Sequence, residues 1–123
     1  MNLTSDDVIE IHEVLADWFA QSGDPVSPPG VRDFGLLSSA TARPIQTVNE
    51  MEAYPTIFDK AAALFHSLIN NHPFHNGNKR VALVCAQVVL ASESFWLDHS
   101  SDEEMFEFTR RAAASYRRFL VMA

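Results

Sequence analysis

The chain is short of positive charge. Its 123 residues carry 9 Lys and Arg against 16 Asp and Glu, a net charge of −7. Broad binding to nucleic acid or to an anionic membrane needs a basic face, so neither is expected. Cysteine is scarcer still, with Cys85 alone. No internal disulfide can form, which suits a reducing cytosol, and a thiol within an apolar stretch reads as a buried structural group. Long hydrophobic runs are also missing. Val81 to Ala91 is 11 residues long and is broken by Gln87. A membrane-spanning helix needs about 20. The start, Met1 to Asp7, is acidic where a secretory signal is basic, so a cytoplasmic location is expected.

What is present is enough apolar material for a core. The chain is 47% hydrophobic and 20% charged, which excludes disorder and fits a single domain over residues 1–123. No repeat or low-complexity segment interrupts it.

The patterning is helical. Thr4, with Asp7 three positions on, forms a capping signal, and Asp6 and Asp7 suit the positive end of a helix. Val8, Ile11, Leu15, Trp18 and Phe19 then recur at three- and four-residue spacing, up to a stop near Gly23 to Pro25. Pro25 to Gly30 reads as a loop, and a short helix is expected over Val31 to Ala42. Arg43 to Tyr54 lacks a helical period, and Pro44, Ile45, Thr47 and Val48 suit a short hairpin. Pro55 fits the first turn of a helix running to about Asn71, with a wide apolar face from Ile57 to Ile69. Val81 to Ala91 is apolar almost all round, as in a helix surrounded by others. Ser101 to Glu104 opens a last helix lined by Met105, Phe106, Phe108, Ala112, Tyr116, Phe119 and Leu120, with Arg110, Arg111, Arg117 and Arg118 on its surface. Trp18, Phe19, Phe65 and Phe106 are expected in the core. The chain therefore reads as all-α with a small β element near residues 43–54.

The joint between the third helix and the apolar one is more polar than a connector needs. It runs His72-Pro73-Phe74-His75-Asn76-Gly77-Asn78-Lys79-Arg80. A proline excludes the helical conformation before it, so the preceding helix should stop at His72. Gly77 lets the backbone turn close to a ligand, Asn78 can order the loop or cap the helix, and Phe74 is an apolar anchor. Lys79 and Arg80 open a helix, where cations are unfavourable unless an anion binds. Arginine can grip phosphate in a fork. A neutral imidazole at His72 can take a proton from a hydroxyl. His66, His72 and His75 have no Cys or acid at ligand spacing, so a zinc site is not expected.

These residues resemble the signature of the Fic/Doc (Fido) superfamily, His-Pro-Phe-x-Asp/Glu-Gly-Asn-Gly/Lys-Arg. The specified position that differs is 76, where Asn replaces the acid. Gly35-Leu36-Leu37, Ala42-Arg43-Pro44, Tyr54-Pro55 and Phe58 to Leu64 resemble the region before the signature in death-on-curing (Doc) toxins. Lys79 also points to Doc, since adenylylating Fic enzymes carry glycine there. The resemblance implies an all-α Fic fold, a helical bundle with a β-hairpin flap near residues 43–54 that docks a target chain by strand pairing. It implies ATP at the loop, His72 as catalytic base, and Phe74, Gly77, Asn78, Lys79 and Arg80 as nucleotide-binding residues. Asn76 takes the place of the Mg²⁺ ligand, with less charge to hold the ion.

In Doc the lysine fills the space of the terminal phosphates, ATP binds in reverse, and its γ-phosphate passes to a Ser or Thr of a translation factor, elongation factor Tu. A separately encoded antitoxin restrains the toxin. No Ser/Thr-x-x-x-Glu-Gly/Asn inhibitory motif stands in this sequence, so restraint is expected from another chain. Two other readings remain at this point: a Fic-type adenylyltransferase, and a Fido binding protein weakened or inactivated at position 76.

Overall fold

The computed structural model describes residues 1–97. The helix start at Ser101, the apolar stripe from Met105 to Leu120 and the four arginines between them lie outside the described residues. Within them the fold is four α-helices and one two-stranded hairpin, an all-α architecture with a small β flap.

Helix α1 (Ser5–Phe19) starts where its capping box demands. The Asp7 N–H donates to Thr4 Oγ1 at 3.2 Å, and the Thr4 N–H donates back to Asp7 Oδ2 at 2.9 Å. Val8, Ile11, Leu15 and Phe19 form its buried face. Trp18, expected in the core, is instead 37% exposed, since it falls off that stripe. Helix α2 (Phe34–Ala42) begins three residues later than the sequence suggested. The cause is Asp33, whose carboxylate accepts the Leu36 N–H at 2.9 Å and so acts as the cap.

A 3₁₀ turn over Arg43–Ile45 leads into β1 (Thr47–Val48) and β2 (Met51–Glu52), paired antiparallel with Val48 opposite Met51. Asn49 and Glu50 both have positive φ, 51° and 66°, as a tight two-residue hairpin requires. The hairpin is exposed on both strands, and its base is held by Lys60. Lys60 Nζ donates to Tyr54 O at 2.6 Å and to Glu52 Oε1 at 2.9 Å.

Helix α3 (Ile57–Asn71) has a second capping box, Thr56 with Asp59. Pro55 therefore lies before the cap and not in the first turn. Helix α4 (Asn78–Ala91) packs against α3 and is buried on nearly every side, as its composition implied. Gln87, the one polar break in its apolar run, is fully buried. It donates to Phe95 O at 3.0 Å and accepts the Leu97 N–H at 2.6 Å, fixing the chain beyond α4. Cys85 is buried too, and desolvation, with a smaller contribution from Asp7, pushes its thiol pKa up, so it stays a protonated packing group. No helix among the described residues is long and apolar enough to cross a membrane.

Candidate active site

Helices α3 and α4 meet at the polar joint, and the joint is built to a fixed shape. Phe74 is fully buried, with its ring stacked on His12 of α1 at 4.1 Å between centroids. It is thus the expected anchor. Its ring faces the core, so the expectation that Phe74 binds nucleotide does not extend to its side chain. Asn78, 5% exposed, orders the loop: the Phe74 N–H donates to Asn78 Oδ1 at 3.0 Å, and Asn78 Nδ2 donates to Phe74 O at 2.9 Å. Both polar ends of one side chain thus close the five-residue span 74–78.

Gly77 caps α4 with φ of 79°, and no side chain caps the helix there. The glycine is required twice. Positive φ is costly for a residue with a Cβ, and a Cβ here would stand 3.0 Å from Val26 Cγ1. The first turn of α4 carries no acid, and its cations at Lys79 and Arg80 sit at the positive end of the helix dipole. That arrangement favours a bound anion.

An open cavity of about 400 Å³ lies against these residues. It is lined by Asp24, Ile69, His72, His75, Asn76, Gly77, Asn78, Lys79 and Arg80. His72 and Lys79 are exposed at it, while Arg80 is half-buried. The guanidinium of Arg80 lies over the Phe19 ring at 4.9 Å and donates to Asp24 O at 2.7 Å. A longer contact of 3.5 Å joins it to the Asp24 carboxylate, whose side chain is 93% exposed, so that ion pair adds little stability. Its effect is to aim Arg80 along the end of α1.

Asn76 behaves differently from the expected metal ligand. Its Oδ1 accepts the Gly77 N–H at 2.6 Å, and its Nδ2 donates to Ser27 O at 2.7 Å. The neighbours fix which end is which, since an N–H must face oxygen and a carbonyl must face the amide. A carboxylate could not donate to Ser27, so asparagine is the residue this tether needs. The Gly77 N–H is therefore already occupied and not open to an anion. Among the described residues no three His, Cys, Asp or Glu converge to hold a metal. These donors do not amount to a protein-built Mg²⁺ site.

His72 terminates α3 in the left-handed conformation, φ 51° and ψ 55°, and not in the extended one that Pro73 favours. For a residue with a side chain this costs ~1–2 kcal/mol, so the surroundings must hold it. They include the segment at 30–33, which runs antiparallel to 73–75. The Val31 and Phe74 backbones pair as a β-bridge, and the His75 N–H donates to Gly30 O at 3.1 Å. Asn71 Nδ2 ties the same helix end to Leu36 O at 3.0 Å.

A model of the Fic/DOC family matches residues 2–90. The chain belongs to the Fic/DOC family. Toxin Doc of Mycolicibacterium smegmatis (strain ATCC 700084 / mc(2)155) is 53% identical over 60 residues, covering 49% of this chain and 46% of that protein. The matched part thus spans about half the length of this relative. No solved structure matches. As a Fic/DOC member the chain keeps the signature loop between two packed helices, with the hairpin preceding them.

Three residues that position the loop were not singled out from the sequence: His12, Ser27 and Arg32. His12 falls on the buried stripe of α1, four residues after Val8 and three before Leu15, but nothing local marks it as a support for a loop 60 positions away. It is 1% exposed. Its Nε2 accepts the Gly30 N–H at 2.9 Å, so the proton sits on Nδ1, which is buried without a partner. Protonation would turn Nε2 into a donor facing a donor. Desolvation accordingly lowers the His12 pKa below its ordinary 6.5. Above 6.5 both folded and unfolded chains hold a neutral ring. Below it the unfolded chain takes up a proton that the folded one refuses, so stability falls as the pH drops. The expected slope is at most about 1.4 kcal/mol per pH unit, starting near pH 6.5. Melting temperature followed from pH 8 to 5 checks this, and in His12→Gln that part of the acid sensitivity should be gone.

Proposed function

We propose that this protein is a Doc-like toxin of a toxin–antitoxin pair, transferring the γ-phosphate of ATP to a Ser or Thr hydroxyl of a translation factor resembling elongation factor Tu. The observation that carries the reading is the convergence of His72 and the uncapped start of α4 on one cavity. Its volume is in the range that small-molecule sites occupy. Lys79 favours phosphate transfer over adenylyl transfer, because its chain takes up room at the loop that a glycine would leave to the nucleotide's terminal phosphates. The similarity to Toxin Doc supports the toxin reading and, with it, a partner antitoxin.

In this reading the neutral imidazole of His72 takes the proton of the target hydroxyl. The oxygen's lone pair forms a bond to the γ-phosphorus, the bond from that phosphorus to the bridging oxygen breaks, and ADP leaves with the electron pair. The backbone N–H groups at the start of α4, Lys79 and Arg80 bind the phosphates and stabilise the charge that moves between them. No step is assigned to a protein-held cation; the Mg²⁺ that accompanies ATP is carried by its phosphates. The exposed hairpin at Thr47–Glu52 presents strand edges to which the target chain can pair. Cytoplasmic action follows from this choice of target.

Incubation with a candidate target and ATP labelled at either the γ- or the α-phosphate tests the reading. Label should pass to the target from γ-labelled ATP only. Transfer from α-labelled ATP would replace it with adenylylation. ATP binding without transfer to any protein of a cell lysate would leave a nucleotide-binding module.

A further inference from the structure

Arg32 lies outside the signature, on the segment before α2, yet it makes a set of contacts that no other residue at the site matches among the described ones. Its Nη2 donates to Asn71 O at 3.0 Å, its Nε donates to His72 O at 2.8 Å, and its own backbone N–H donates to Pro73 O at 2.7 Å. Three consecutive carbonyls therefore accept hydrogen bonds from one residue. The three belong to the last residue of α3, the candidate base, and the proline after it. The Asp33 N–H adds a second bond to Pro73 O at 3.1 Å.

The location gives the contacts a purpose. The last carbonyls of a helix have no partners within it, and a cation there is favourable. A backbone cap of the usual kind would come from a following glycine in the left-handed conformation. Here the left-handed residue is His72 itself, and Pro73 has no N–H with which to close the turn. Pro73 leaves the turn one donor short, and Arg32 supplies side-chain donors to its carbonyls from 40 positions away. The planar fork of a guanidinium can meet two adjacent carbonyls at once, which a lysine ammonium on a flexible stem does not reproduce.

We infer that Arg32 is a positioning residue for His72: by clamping the carbonyls of residues 71–73 it holds the left-handed turn that directs the imidazole into the cavity. Arg32 is not itself a lining residue of the cavity, and it meets the lining at the His72 carbonyl, on the α3 side of the loop. Its loss should therefore disturb the base and leave the phosphate-binding part in place. The inference rests on the reading of His72 as base for its catalytic consequence, but its geometric content does not.

The test compares wild type with Arg32→Met, which keeps an apolar stem, and Arg32→Lys, which keeps the charge. ATP affinity is measured by calorimetry, turnover with γ-labelled ATP, and the ring and amide signals of His72 by NMR on histidine-labelled protein. In Arg32→Met, affinity should stay within about threefold, turnover should fall tenfold or more, and the His72 signals should shift or broaden. Arg32→Lys should recover only part of the turnover. Unchanged His72 signals would overturn the inference, as would an equal loss of ATP affinity and turnover, which marks general damage to the fold. If wild type transfers no phosphate, the proposed function fails, while the NMR comparison still decides the role of Arg32.

Discussion

His72→Ala should lower phosphate transfer by about 10²–10⁴-fold, the range that a positioned general base contributes. ATP affinity should stay close to wild type, because the groups proposed to bind phosphate belong to α4 and the imidazole belongs to the end of α3. The change in stability should be small, because the ring is exposed and histidine and alanine both carry a Cβ in the left-handed turn. The backbone at residue 72 is held through its carbonyl and those beside it, so removing the ring leaves the turn intact. Turnover with γ-labelled ATP and a calorimetric titration of ATP check the two halves separately. A variant that keeps transfer within a few-fold of wild type would remove His72 from the role of base. Equal loss of binding and transfer would make the histidine a nucleotide ligand instead.

The sequence carried the local structure well and the supports of the site poorly, for a physical reason. The capping box at Thr4 and the apolar faces of α1, α3 and α4 are short-range signals, with cause and effect within four residues, whereas the equally local box at Thr56 was passed over for Pro55. The loop from His72 to Arg80 was legible because its residue types and spacing are unusual together. What holds it in place comes from positions 12, 24, 27 and 32, which are 40 to 60 residues away in sequence. No periodicity links them to the loop. Arg32 was also hidden by a boundary error: placing the second helix from Val31 turns Arg32 into an ordinary helix residue. Recognising Asp33 as the cap frees the segment before it to pair with residues 73–75. Asn76 shows the opposite case. It was visible at once as a departure from the signature, and its meaning depended on Ser27. As a weak metal ligand it would be a loss. As a donor to Ser27 O and acceptor from Gly77 it is a brace that an acid could not provide.

The same dependence on both ends of an amide makes Asn78 the most sensitive structural position of the site. Asn78→Ala would leave a buried Phe74 N–H and a buried Phe74 carbonyl without partners. Each unsatisfied group costs about 1–3 kcal/mol, so a total of roughly 2–6 kcal/mol is expected. That is a large share of the roughly 5–15 kcal/mol that holds a folded domain, and the melting temperature should fall on the order of 10 °C. Asn78→Asp separates the two bonds. It keeps an acceptor for the Phe74 N–H but sets an oxygen against the Phe74 carbonyl, so it should also destabilise, and more so when the carboxylate is charged. Denaturant unfolding with an unchanged slope would assign the loss to the native loop and not to the unfolded chain. ATP affinity should fall together with stability in both variants, because Asn78 is the first residue of α4 and its side chain shapes the turn proposed to bind phosphate. An Asn78→Ala protein that melts within a degree or two of wild type would mean that water can replace the amide. The loop would then be held by Phe74 and Gly77 alone.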